Sequence, residues 1–222
     1  MVNNLSDATT RRVVSSDDIA AMAREPRAML INSLPGYKPA MLVGTCDSAG
    51  RTNLAIVSSH LHVGSNPPLL ALILRPTSDQ SERHTLANTL ETGCWTLNSF
   101  SLEQAPQAHQ TSAPYARDVS EFSACGFLET YTADFPAPFV ASASLQIGCA
   151  LREHHELSIN GTHLLIGEIA HLSFPSDALR DDNSLDLSRL DLVAIAGLDT
   201  YALPTTGLRF AAAETIQPPR QL

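Results

Sequence analysis

At 222 residues the chain is about one and a half times a typical domain of roughly 150, and its 44% apolar content suits one substantial core. Charged residues reach only 17%, below the roughly 25% usual for soluble domains, so part of the surface is expected to be covered in a subunit interface. The formal charge of −9, with Lys38 as the only lysine, excludes an extended nucleic-acid surface and leaves room only for a local anion site.

No stretch approaches the roughly 18 to 20 apolar residues of a spanning helix; the best run, 69–74, stops at Arg75 and Pro76. The start, with Asn3, Asn4, Asp7, Arg11 and Arg12, lacks a signal-peptide core, so the expectation is a cytoplasmic protein with no membrane partner. Cys46, Cys94, Cys125 and Cys149 are far apart and form no C-x-x-C pair, which reads as reduced, buried thiols.

In chain order, residues 1–35 read as a leader with weak helical character. Ser15-Ser16-Asp17-Asp18 offers an N-cap, and Pro26 and then Pro35-Gly36 are expected to break the helix. Residues 40–45 read as a strand, Asp47-Ser48-Ala49-Gly50 as a turn, and 52–59 as the return strand. Strand 69–74 follows Pro67-Pro68, and 78–90 switches to helical spacing with Gly93 as its stop. Residues 94–98 return to strand, 102–109 form a short helix, and 110–122 is a polar loop of the kind that carries function. Residues 145–157 and 162–174 are two long strands about the turn Ser158-Ile159-Asn160-Gly161. Residues 176–188 form a surface excursion, 192–196 is a last apolar run, and the tail from 211 reads as loose. Strands outnumber helices without a regular β-helix-β repeat, which favours an antiparallel barrel with peripheral helices. The expected organisation is a leader over 1–35, one domain over 36–210 and a tail over 211–222.

The chain contains no G-x-G-x-x-G, Walker-type loop, G-x-S-x-G or H-E-x-x-H. His60 and His62 share a strand face but lack a companion ligand, and the neighbours His154 and His155 point to opposite faces, so no metal site is expected. Arg75 and Arg83 are the only Lys or Arg between residues 52 and 116. Hydroxyls, an arginine and free N–H groups at a helix start are what one terminal phosphate needs. On chemistry alone a surface pairing of Arg83 with Glu82 or Glu91 explains the residue equally well.

Four stretches, taken together, carry a resemblance: Lys38-Pro39-Ala40-Met41-Leu42-Val43-Gly44-Thr45, Gly50-Arg51-Thr52-Asn53-Leu54-Ala55, Asn66-Pro67-Pro68-Leu69-Leu70, and Arg83-His84-Thr85 with Asn88, Gly93 and Asn98. In this order they resemble the flavin reductase-like family of FMN-binding split barrels. Ala108 to Ala113, with Tyr115, Ser120-Glu121-Phe122 and Gly126, resembles the segment after the family's second helix. Gly197-Leu198-Asp199-Thr200-Tyr201 resembles its C-terminal Gly-x-x-x-Tyr element.

The resemblance implies a mainly β, Greek-key split barrel with FMN as cofactor and NADH or NADPH as a transient co-substrate. It implies backbone groups of Asn53, Leu54 and Ala55 along the isoalloxazine, Ser58 and Ser59 along the ribityl chain or phosphate, and Ser81, Arg83, His84 and Thr85 at the phosphate and ring edge. His109, Tyr115 and Tyr201 would close a pocket at a homodimer interface. This chain has His84 where relatives often carry Asp, and Ser59 and His60 where they often carry aromatics. The activity so implied is hydride transfer from NAD(P)H to FMN and on to a small-molecule acceptor. Two other readings remain: an FMN-binding protein without nucleotide oxidase activity, and an FMN-dependent oxidase or oxygenase acting on a small organic substrate.

Overall fold

A computed structural model describes residues 11–76, 83–205 and 207–222. The first helix, α1 (Ser16–Ala21), starts where the sequence places its cap: the Asp18 amide donates to Ser15 Oγ at 3.1 Å and the Ser15 amide to Asp18 Oδ2 at 2.9 Å. Pro26 does not break the next helix, α2 (Arg24–Ser33). It occupies the first turn, where a missing N–H costs no helical hydrogen bond.

Strands β1 (Lys38–Pro39), β2 (Met41–Cys46), β3 (Thr52–Val57), β4 (His60–Ser65) and β5 (Pro68–Leu74) follow. Next come α3 (His84–Thr92) and β6 (Cys94–Asn98), then α4 (Ala105–Gln110), α5 (Glu121–Ala124), β7 (Glu129–Thr132) and β8 (Phe135–Val140). The chain continues through β9 (Gln146–Leu157), β10 (Thr162–Ser173), β11 (Ala194–Ala196) and β12 (Thr200–Ala202). The β2 and β3 strands are joined by a turn with Gly50 at φ +80°, and α3 stops at Gly93, left-handed at φ +72°. From 211 the tail doubles back, with the Leu222 amide donating to the Arg209 carbonyl at 2.9 Å.

The fold is mainly β and antiparallel, a split barrel with its helices at the periphery. Seven strands form one sheet in the order β3-β2-β6-β9-β10-β5-β4. Its two edges are β3 and β4, yet these strands are joined only by Ser58 and Ser59. Three residue steps span at most about 11 Å, so the edges must meet and the sheet curls into a barrel. Inside lie Met41, Val43, Leu72, Trp95, Leu97, Cys149 and Leu165. Outside β2 and β3 a second core, with Leu42, Leu54, Phe100, Phe122 and Val140, holds α4, α5 and β8 against the wall.

Buried on both faces, β2 reads as a continuous apolar run. Gly44 sits where β8 crosses: a Cβ there would meet the Pro138 carbonyl oxygen at 2.3 Å. Gly167 likewise makes room for the Trp95 ring, at 2.3 Å from where its Cβ would stand. A third element, the sheet β1-β11-β12, lies against the outer core. It puts Lys38 opposite Ile195 and Ile195 opposite Tyr201.

Candidate functional site

A cavity of about 180 Å³ opens at the corner where β3 and β4 meet. The end of β3 contributes Ile56, Val57, Ser58 and Ser59, and the end of β5 contributes Ile73, Leu74 and Arg75. Across from them stand Arg83 at the start of α3, His109 and Ser112 from α4 and the turn after it, and Ile195, Gly197, Leu198 and Tyr201 from the small sheet. The corner is held by the Ile73 amide, which donates to the Ser59 carbonyl at 2.8 Å. Hydroxyls and guanidiniums therefore face an aliphatic wall, the mixture that a ligand with one anionic end and one flat apolar end requires.

Tyr201 and His109 act as a unit, with Tyr201 OH 2.8 Å from His109 Nδ1 and the rings perpendicular at 5.8 Å. Phe100 packs edge-on to Tyr201 at 6.4 Å. Burial, aided by the negative charge of Asp199, pushes the Tyr201 hydroxyl above its ordinary pKa, so it stays protonated and able to donate.

The structure separates the residues that the resemblance groups together. Ser58, Ser59, Arg83, His109 and Tyr201 share the cavity. Asn53, Leu54, Ala55, His84, Thr85 and Tyr115 do not line it, and Ser81 lies outside the described residues. Asn53 and Thr85 are buried against each other, with Asn53 Nδ2 donating to Thr85 Oγ1 at 3.0 Å. Leu54 is fully buried and its amide donates to Glu121 Oε2 at 3.0 Å. The next amide on that edge, that of Ile56, donates to Thr111 Oγ1 at 2.8 Å. The amides of Leu54 and Ile56 are thus both satisfied by side chains of the 110–122 segment. Tyr115 packs on the outer core instead, its hydroxyl 3.6 Å from Cys125 Sγ.

Glu121 and Thr111 were not singled out from the sequence as edge partners. Their roles depend on which loop folds onto β3, and no local pattern reports that. Burial raises the Glu121 carboxyl above its ordinary value of 4.5, against the Leu54 amide and nearby His84, which favour the carboxylate. Asp47 shows the opposite balance. Its burial is outweighed by the Arg51 and Ala49 amides and the Arg51 guanidinium, which lower its pKa to about 2. Arg51 and Arg117 reach its Oδ2 at 2.7 and 3.2 Å, anchoring the β2–β3 turn.

All four cysteines are free thiols, and burial raises Cys149 to about 12, so thiolate chemistry has no place inside the barrel. The histidine pairs bond locally: His62 to Ser65 Oγ at 3.1 Å, His154 to His163 at 2.9 Å and His155 to Glu153 at 2.7 Å. No group of three or more His, Cys, Asp or Glu that would hold a metal occurs among the described residues. Nor is any described helix long and apolar enough to cross a membrane.

The barrel whose edges meet at a two-residue corner, with hydroxyls and guanidiniums beside an aliphatic wall, defines a split barrel with one candidate ligand site. Residues 37–189 match the family model for the flavin reductase like domain, and the chain belongs to that family. A crystal structure of a split-barrel protein from Shewanella frigidimarina is 44% identical with a TM-score of 0.87, covering 91% of this chain and all of that one. Nitrilotriacetate monooxygenase component B from Bacillus cereus shares the fold at a TM-score of 0.78 and 17% identity, over 90% of this chain and 99% of its own. An uncharacterized protein of Deinococcus radiodurans is 28% identical over 192 residues, 83% of each chain.

Proposed function

We propose that the chain is a cytoplasmic, FMN-binding oxidoreductase that takes hydride from NADH or NADPH and delivers electrons to a small-molecule acceptor. The observation that carries this reading is the convergence of Ser58, Ser59 and Arg83 with an aliphatic wall and the Tyr201–His109 pair in one cavity of a flavin reductase-like barrel. The donor set fits a flavin mononucleotide: serine hydroxyls and an arginine fork for its phosphate, and Ile56, Val57, Ile195 and Leu198 for the ring. When bound, the flavin supplies the redox chemistry, accepting hydride and releasing electrons. The protein's part is to bind, orient and exclude water. Ser58 and Ser59 donate to anionic oxygens, Arg83 neutralises their charge, and the Tyr201 hydroxyl, held protonated by burial, offers a hydrogen-bond donor at the cavity mouth with His109 fixing its direction.

One cavity of about 180 Å³ is smaller than the roughly 300 Å³ at which small-molecule sites begin, so we assign the missing wall to a second copy of the chain. Its footing is an apolar outer sheet face. Leu61 on β4, Ala71 and Ile73 on β5, and Leu164 and Ile166 on β10 are cross-strand neighbours on one side, opposite the core-facing Leu72 and Leu165. Leu61 is 48% exposed, and Ile73 belongs to both this face and the cavity. A homodimer over that face completes the pocket and accounts for the low charge of the chain.

The test is the visible spectrum of the purified protein titrated with FMN, followed by anaerobic mixing with NADH or NADPH. Bleaching of the bound flavin by either nucleotide is expected. A bound flavin that neither nucleotide reduces turns the reading to a flavin carrier, and no binding at all ends it. Arg83→Ala should weaken FMN binding by about 1.5 to 3 kcal/mol, the worth of a charge-assisted hydrogen bond.

A further inference from the structure

The chain carries a formal charge of −9, so carboxylates are plentiful. Arg51, Arg117, Arg152, Arg180, Arg189 and Arg209 each pair with one. Two cations beside the cavity differ: among the described residues, Lys38 and Arg75 have no carboxylate within ion-pair distance. Both converge on Asn32 at the end of α2. Lys38 Nζ donates to its carbonyl and Arg75 Nη1 to its Oδ1, each at 3.4 Å. A second contact takes Lys38 Nζ to the carbonyl of Gly197, a cavity residue, also at 3.4 Å. Arg75 itself lines the cavity. Cross-strand pairing places Lys38 in one row with Ile195 and Tyr201, which line it too.

Two like charges held together without a counter-ion are destabilising, and here the cost is visible. Burial, and then the charge of Arg75, hold the Lys38 ammonium below its ordinary pKa of 10.5. An anion lodged between them would recover that cost. Its chemistry follows from the count of charges: a carboxylate answers one cation, whereas a terminal phosphate carries about 1.5 to 2 negative charges and a dinucleotide's diphosphate carries one on each phosphate. An arginine fork with a lysine point charge is also a common phosphate clamp.

We infer that Lys38 and Arg75 form a second phosphate subsite at the border of the cavity, which takes a phosphate or diphosphate group of a second nucleotide portion. The inference rests on the flavin reading for its neighbour, since Ser58, Ser59 and Arg83 are there assigned to the phosphate of FMN. The extra phosphate comes from one of two sources: the dinucleotide reductant, or the adenylate half of FAD bound in place of FMN.

The experiment compares wild type with Arg75→Met, at an exposed position, and with the double variant Lys38→Met/Arg75→Met. Inorganic pyrophosphate should raise the melting temperature of wild type at constant ionic strength and fail to do so in the double variant. Equal shifts in both, or none in wild type, overturn the subsite. In the second arm, FMN-loaded protein is titrated with NAD⁺ and NADP⁺, and apoprotein with FAD. The double variant should weaken one of these ligands by about tenfold or more while changing FMN affinity by less than about threefold. The weakened ligand names the source. An FMN affinity that falls as far shows that the pair serves the flavin's own phosphate, and the second subsite is wrong. Wild type that responds to pyrophosphate but binds no flavin leaves the subsite standing and removes the flavin reading instead.

Discussion

Strand β3 is sealed along its first half and open at its end. From Asn53 to Ile56 the side chains of Thr85, Glu121 and Thr111 occupy its polar groups. Beyond Ile56 the same strand runs into Ser58 and Ser59 and faces the cavity. The two halves differ by a few residues of one strand, yet they answer to different demands. An edge strand with unpaired amides invites pairing with other chains, and the first half meets that demand from within the molecule. The second half opens on the cavity.

Substitutions can break this division. The largest effect is expected at Gly44→Ala, opposite the sealed half, where the added Cβ would meet the Pro138 carbonyl oxygen at 2.3 Å and Thr96 Oγ1 at 2.6 Å. A loss of about 3 kcal/mol in urea unfolding is expected, with FMN affinity of the folded protein unchanged. Thr111→Val leaves the Ile56 amide without its acceptor and should cost about 2 kcal/mol, again without a change in FMN dissociation constant. A large change in flavin affinity for Thr111→Val would place the ligand on the sealed half after all. Ser59→Ala should do the reverse: FMN binding weaker by about 1 kcal/mol and stability within about 0.5 kcal/mol of wild type.

The smallest and most informative effect is a pH dependence at Glu121. Its folded pKa is raised, mainly by burial, so the folded state holds this proton more tightly than the unfolded chain. The stability this group contributes is therefore complete below its ordinary value of 4.5 and is lost as pH rises through the raised folded value. Glu121→Gln keeps an acceptor for the Leu54 amide and does not ionise. Unfolding curves of the two proteins should lie closest in acid and separate toward neutral pH, with the glutamine variant gaining. Separation in the other direction would mean that His84 holds the carboxylate as an ion pair strongly enough to outweigh its burial.

The same contrast explains what could be read from sequence. Strand β6, the long β9–β10 hairpin and the stops at Gly50 and Gly93 were legible because each is a local pattern: an apolar run, a turn or a positive φ. Strand β4 was missed because His60, His62, Gly64 and Ser65 dilute its alternation. Strands β7 and β8 were missed because Pro136 and Pro138 argue against a strand, although an isolated two-stranded sheet tolerates them. In the site, the serines of the β3–β4 corner came from the family resemblance, and so did the choice of a ligand role for Arg83, since chemistry alone explained a surface ion pair equally well. Lys38 was noted as the lone lysine and as the head of a family-like stretch but not as a neighbour of Arg75, because its approach to Arg75 runs through α2 and the small sheet. The sealing of β3 was hidden for the same reason, since Thr111 and Glu121 lie 55 and 67 residues from the amides they accept.

The two-residue corner has a kinetic consequence. Ser58 and Ser59 link strands that are consecutive in sequence but stand at opposite ends of a seven-stranded hydrogen-bond order. At this corner the Ile73 amide donates to the Ser59 carbonyl, carrying the β4–β5 ladder one step past β4. Solvent exchange of that single amide is therefore a gauge of how often the corner frays from β5. A guest lodged between the serines and the arginines rivets the two margins together, and its residence time becomes a clock for that opening.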